Sequence, residues 1–189
     1  SCVGLTPAAL ARISLDTVRR DHLQSYGYAR DTSPTLDRLA SRGVRFARQL
    51  SQSSWTKASM ASLWTGLYPT RTGVTRFNDV LPDEGVVFPT EILRDAGFRT
   101  AGIYRNGWVS PYFGFAQGFD RFDESQILPH DVSNSPQLTE IALRMLRQRN
   151  PARPFFLWVH YFDPHYTYVR HEEFDFASGS PPGVELNII

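Results

Sequence analysis

The chain is 189 residues long, 41% hydrophobic and 21% charged, with a formal net charge of +1. That is enough chain for one domain with its own core, and the near-neutral balance gives no reason to expect nucleic acid or an anionic membrane as the main partner. The lone cysteine, Cys2, excludes an internal disulfide and a thiolate metal cluster, and no apolar run is long enough to span a membrane.

Elements alternate between strand and helix along the chain, the pattern of an α/β fold on a mostly parallel sheet. Ala8 to Leu15 reads as a first strand ending at Asp16; Arg12 interrupts its apolar run and argues against a signal peptide. Ser33-Pro34 opens a helix, with Ser33 as N-cap, an apolar face of Leu36, Leu39 and Ala40, and Gly43 as its stop. Val44 to Leu50 alternates enough to be expected as a second strand. Thr56 to Thr65 reads as a buried helix carrying Met60, Ala61, Leu63 and Trp64, ended by Gly66 and kept from continuing by Pro69. Pro89 to Ala96 is a short helix closed by Gly97, and Arg99 to Tyr104 a strand. Residues 106 to 135, rich in Gly, Phe and Asp, read as loop over the active face, where Trp108, Tyr112, Phe113 and Phe115 are either cleft lining or buried anchors. Pro136 to Gln148 is an amphipathic helix and Pro154 to His160 a buried strand; after Tyr168 the pattern dissolves. The whole reads as one domain, and Asn187-Ile188-Ile189 as an arbitrary cut through it.

Three places carry residue types suited to chemistry. Asp16 sits at the carboxyl end of a strand, where ligands bind in open α/β sheets, and its hard oxygen suits a divalent cation. The plainer reading is a carboxylate capping the next turn. Thr56 opens a helix after Ser51-Gln52-Ser53-Ser54, so helix amides would face an incoming anion, and a metal-bound hydroxyl there could attack phosphorus or sulfur. Its plainer reading is an N-cap threonine. His160 and His165 flank Asp163-Pro164 at the end of the best buried strand, placed to bind an anion or move a proton. Their spacing does not fit a zinc motif, and His22, His130 and His171 read as surface residues.

Taken in order, these segments resemble the sulfatase N-terminal domain family of the alkaline phosphatase superfamily. Ile13-Ser14-Leu15-Asp16-Thr17-Val18-Arg19 is similar to the family's first strand with its metal-binding Asp. Asp31-Thr32-Ser33-Pro34-Thr35-Leu36-Asp37-Arg38-Leu39-Ala40 resembles the next helix, and Gly43-Val44-Arg45-Phe46 the strand after it. Thr56-Lys57-Ala58-Ser59-Met60-Ala61-Ser62-Leu63-Trp64-Thr65-Gly66-Leu67-Tyr68-Pro69 is similar to the nucleophile segment. Gly97-Phe98-Arg99-Thr100-Ala101, Phe115-Ala116-Gln117-Gly118-Phe119-Asp120 and Pro154-Phe155-Phe156-Leu157-Trp158-Val159-His160 continue the match, which runs from about residue 13 to 168.

The resemblance implies a three-layer sandwich with a mostly parallel central sheet, of which this chain is the N-terminal part. It implies a divalent metal (Ca, Mg, Mn or Zn) held by Asp16 and Thr56, and in-line attack by Thr56 on a phosphate or sulfate ester. His165 matches a histidine on the substrate's anionic group or leaving oxygen, and Asn106 and His160 are expected to touch substrate. The expected substrate is a small-molecule, lipid or glycan ester. Localisation stays open, a periplasmic or extracytoplasmic place being compatible.

Departures from the family pattern shape the expectation. Sulfatases carry Cys or Ser in a Cys/Ser-x-Pro-x-Arg signature for conversion to formylglycine; Thr56-Lys57-Ala58-Ser59-Met60 lacks the convertible residue, the proline and the arginine. No formylglycine is expected, and a phosphoester substrate, handled by a phosphodiesterase or phospho-group transferase, is preferred over a sulfate ester. Thr17 stands where a second Asp is usual, and the superfamily's later Asp-His pair has no counterpart. Two donor residues fall short of the roughly four to eight ligands of a finished site, so this chain alone is expected to be inactive. The alternatives are a sulfuric ester hydrolase working without formylglycine and a non-catalytic module that retains the fold.

Overall fold

The computed structural model describes residues 8–125 and 134–166. His130, His171 and the readings beyond Tyr168 lie outside the described residues. Those described fall into two compact units, one of residues 8–14, 51–125 and 134–161, the other of 15–50 and 162–166.

The first unit is built on four strands, β1 (Ala9–Leu15), β2 (Arg99–Tyr104), β3 (Arg121–Asp123) and β4 (Phe155–Tyr161), in the order β1-β4-β2-β3. β2 runs parallel to both neighbours: Arg99 to Tyr104 register with Phe155 to His160, and Ala101 to Ile103 with Arg121 to Asp123. Parallel neighbours require crossovers, and α5 (Ser135–Gln148) lies in the connection between β3 and β4.

Strand side chains alternate between faces, and the two faces bury different sets. Ala101, Ile103, Phe155, Leu157 and Val159 pack with Leu138, Ile141, Ala142 and Met145 of α5. On the other face Tyr104, Phe156 and Trp158 pack with Ala58, Met60, Ala61 and Trp64 of α2 (Thr56–Thr65), and with Phe88 at the N-terminus of α4 (Pro89–Asp95). Helix, sheet and helix therefore form the three layers the sequence implies. Trp64 is the hub of the second cluster, with rings of Phe88, Phe119, Phe156 and Trp158 at 5.1–6.3 Å. The spacing suits stacked and edge-on aromatic contacts.

Gly66 ends α2 in the left-handed conformation with φ 70°, as its position just past the apolar run leads one to expect. Pro69 then starts a separate short helix, α3 (Pro69–Thr72). Gly118 (φ 73°) lets the backbone pass α4 so closely that a Cβ would lie 2.6 Å from the Thr90 carbonyl carbon, a contact only glycine avoids.

In the second unit, α1 (Pro34–Arg42) begins and ends as read, but Ser33 does not cap it with its side chain. Its hydroxyl donates to Asp37 Oδ2 at 2.9 Å and accepts from the Gln24 amide at 3.2 Å, tying the helix to the preceding turn. Residues 44–50 form no strand: Val44, Phe46 and Leu50 are 83%, 66% and 79% exposed. Two carbonyls in that stretch take side-chain donors instead, Phe46 from Tyr26 and Ala47 from Arg20.

Candidate functional site

The carboxyl ends of β2 and β4, and the start of α2, bring three of the sequence-derived residues into the first unit. Thr56 is the first residue of α2; the N-cap is Trp55, so Thr56 is not the capping threonine of the plainer reading. Trp55 has no side-chain oxygen to offer the first-turn amides, and its carbonyl accepts the first intrahelical bond, from the Ser59 amide at 2.9 Å. The Thr56 hydroxyl thus stands on a helix end of positive character.

The residue missed in the sequence is Lys57. Its side chain is fully buried, an unusual fate for a lysine. The ammonium donates to the carbonyls of Phe77 at 2.5 Å and Asp79 at 2.6 Å. It also lies over the rings of Phe113, Trp55 and Trp108 at 3.9, 5.1 and 5.4 Å, where the ring faces attract a cation. Burial draws the Lys57 ammonium below the usual lysine range, and the Asp79 charge acts the other way. Asp79 itself is held below the ordinary carboxylate value by the Thr75 and Arg76 amides that donate to it. Lys57 thereby fastens residues 77–79 to the first turn of α2, immediately beside Thr56. Trp108 and Phe113 are accordingly anchors around a buried cation, Phe115 is fully buried, and Tyr112 is exposed.

Asn106 follows β2 and caps the Gly107–Val109 turn, its Oδ1 accepting from the Trp108 amide at 3.0 Å. The residue is buried, and the cap gives its carbonyl oxygen a role in the fold. Tyr104, the register partner of His160, donates from its hydroxyl to Glu124 at 3.1 Å. Burial first, then Glu124, push that phenol well above its ordinary value, so it remains a protonated donor.

His160, near the end of β4, is buried, and its Nδ1 lies 2.8 Å from Ser14 Oγ of β1. Ser14 Oγ also accepts from Trp158 Nε1 at 2.9 Å. One hydroxyl therefore orients the imidazole and satisfies the indole, and places β1 against β4. Replacing Ser14 by alanine leaves the buried Trp158 N–H without its acceptor and the imidazole without this restraint. The expected cost is about 1–3 kcal/mol, read as a lower denaturant midpoint with unchanged slope; an unchanged midpoint would refute the role.

The second unit holds the other two candidates. Asp16 is buried at 9% exposure, directly after β1, and Thr17 has a positive φ of 57°, an uncommon conformation for a β-branched residue. Thr17 Oγ1 donates to the Pro164 carbonyl at 2.9 Å, joining the turn after β1 to the turn containing Asp163-Pro164-His165. The structure thus brings Asp16 and His165 onto two bonded turns. The His165 ring stacks on Phe162 at 4.3 Å and its amide donates to the Phe162 carbonyl at 2.8 Å.

The donor chemistry of Asp16 and Thr56, hard oxygen in both, suits a divalent cation. Among the described residues there is no group of three or more His, Cys, Asp or Glu side chains able to hold one. The oxygen type fits; the ligand number falls short of a coordination shell.

A family model described as Sulfatase matches residues 12–184 of the chain. Iduronate 2-sulfatase of Mus musculus is 25% identical, the match covering 92% of this chain and 40% of that protein. Among solved structures, the C-terminal periplasmic domain of EcEptC from Escherichia coli, in complex with Zn, superposes with a TM-score of 0.71 at 18% identity, covering 96% of this chain and 51% of that one. The phosphonate monoester hydrolase of Agrobacterium radiobacter gives 0.70 at 21% identity, covering 88% and 43%. At these identities the structural likeness is one of fold. The chain spans less than half the length of the curated relatives it matches.

Proposed function

The chain belongs to the sulfatase family, and we propose that the complete protein is a metal-dependent hydrolase or phospho-group transferase acting on phosphoesters, with Thr56 as its nucleophile. The observation that carries this reading is the position of Thr56 as first residue of a largely buried helix, at the end of the helix where the backbone dipole is positive. That places a hydroxyl where an anionic ester would be attracted. Threonine cannot yield the aldehyde that formylglycine chemistry needs, which favours direct attack on phosphorus over the sulfatase route.

In the proposed reaction Thr56 Oγ forms a bond to phosphorus as the bond to the leaving oxygen breaks. The hydroxyl proton passes to solvent, and the leaving oxygen takes up a proton, with His165 the proposed donor. Water, or an acceptor hydroxyl in a transferase, then takes the phosphoryl group and restores the threonine. A divalent cation held by Asp16, Thr56 and further donors would supply charge neutralisation and a more acidic hydroxyl. His160, set by Ser14, and Asn106, through its amide nitrogen, are proposed to orient the ester, whose organic half is a small-molecule, lipid or glycan group.

The family match and the mouse relative favour a second reading, hydrolysis of a sulfate ester without formylglycine. One assay separates the two. The complete protein is expected to turn over aryl phosphate mono- or diesters with kcat/KM at least about tenfold above the matching aryl sulfate, a difference of roughly 1.4 kcal/mol in barrier. A preference for the sulfate reverses the order.

A further inference from the structure

The amino ends of the strands, remote from the residues discussed so far, carry a separate concentration of positive charge. β2 and β3 open side by side with Arg99 and Arg121, and the connection from α5 to β4 adds Arg149 and Arg153. These four arginines line a cleft of about 340 Å³ whose apolar wall includes Met145 and Phe155. From Phe155 to His160 along β4 is about 16 Å at the usual rise of a strand, so the cleft and the candidate site cannot share a small ligand.

The four guanidinium groups are only partly neutralised. Arg121 pairs with Asp123 at 2.9 Å, and Arg99 approaches Asp120 at 3.6 Å. Arg149 and Arg153 have no carboxylate partner among the described residues; their N–H groups reach the carbonyls of Leu146 at 2.6 Å and Gly97 at 3.3 Å. Two carboxylates against four guanidinium groups leave the cleft with an excess of two positive charges. Arg149 also complements the carboxyl end of α5, yet capping one carbonyl uses one of the donors on its planar fork. The remaining donors have the geometry that binds phosphate and sulfate oxygens in pairs. A cleft of this size with convergent donors and an apolar wall also has room for more than a bare anion.

We infer that this cleft is a second anion-binding site, specific for the tetrahedral oxyanion of a phosphate or sulfate group, free or carried as a monoester on a sugar-sized body. The inference is independent of the reaction assigned to Thr56. Arg149 and Arg153, without carboxylate partners among the described residues, supply the charge, and Arg121 and Arg99 fix the anion against the strand ends.

Calorimetric titration of the full-length protein at constant ionic strength tests it, with inorganic phosphate, inorganic sulfate, glucose 6-phosphate, glucose 6-sulfate and neutral glucose as probes. Arg149 and Arg153 are exposed and each makes one backbone hydrogen bond, so Arg149→Gln/Arg153→Gln is expected to stay folded with at most a small drop in midpoint while losing at least tenfold in affinity for one saturable anion site. Arg149→Lys/Arg153→Lys is expected to keep the charge and recover only part of that affinity. Monoesters binding more tightly than the inorganic anions would identify an ester as occupant, and equal affinities the free anion; both support the site. Unchanged anion affinity in the glutamine variant, or glucose binding as well as its 6-phosphate, would overturn it.

Discussion

Thr56→Ala in the complete protein is expected to lower kcat for the preferred ester by at least about 10³-fold, the scale on which removal of a covalent nucleophile acts. The fold should survive almost untouched. Position 56 is the first residue of α2 and only half-buried, and alanine is favourable in a helix. The change in unfolding free energy is expected to stay within about 1 kcal/mol. Thr56→Ser retains a hydroxyl and should retain measurable turnover. Far-ultraviolet circular dichroism and denaturant titration check the fold, and steady-state rates check the chemistry. An alanine variant that keeps most of its activity would remove Thr56 from the mechanism.

Lys57→Ala is expected to have the opposite character, damaging stability first. Removing the side chain leaves the Phe77 and Asp79 carbonyls without their shared donor, and opens a cavity among Trp55, Trp108 and Phe113. Two lost charge-assisted bonds and the lost packing, set against relief of the ammonium's desolvation, give an expected cost of about 3 kcal/mol. That corresponds to a fall in Tm of roughly 6–12 °C for a domain of this size. Lys57→Met refills much of the space without restoring the bonds, so it should recover only part of the loss. Because residues 77–79 are tied to the turn that carries Thr56, both variants should also lower kcat. Thermal unfolding of the pair decides the matter: a methionine variant as stable as wild type would show that the cation contributes nothing.

What the sequence made legible follows from how locally each feature is encoded. The bounds of α2 came out to the residue because Gly66 stops it with a left-handed turn and Pro69 opens the next helix. β4 was visible as a compact apolar run, and all of its first six residues are buried. Val44 to Leu50 has strand-like alternation too, but alternation needs a partner and an inner face. Its apolar residues stay exposed and its carbonyls are taken by Arg20 and Tyr26. β3 escaped notice for the opposite reason, since three residues beside β2 are too short to show a period.

For the site the same division holds. Asp16, Thr56, His160 and His165 were singled out because each stands at or near the end of an apolar strand or helix, and such ends can be read from one sequence. Their partners could not be read. Ser14 is separated from His160 by 146 positions and does its work through tertiary pairing of β1 with β4. Lys57 looked like a departure from a motif, whereas its burial depends on aromatic residues contributed from positions 55, 108 and 113 and on two carbonyls near position 78. A charged residue inside an otherwise uncharged helix was the one available signal. Asn106 shows a local role that the sequence did not announce: its carbonyl oxygen caps the turn that follows β2.

The most direct test of the central claim is to catch the covalent intermediate. The complete protein should be mixed with a labelled phosphoester in the presence of divalent cation, quenched in acid during turnover, digested and sequenced by mass spectrometry. The account predicts a phosphoryl group on Thr56, absent from Thr56→Ala and absent when an aryl sulfate replaces the phosphoester. Turnover of the phosphoester with the label on another residue, or with none on the protein at all, would contradict it.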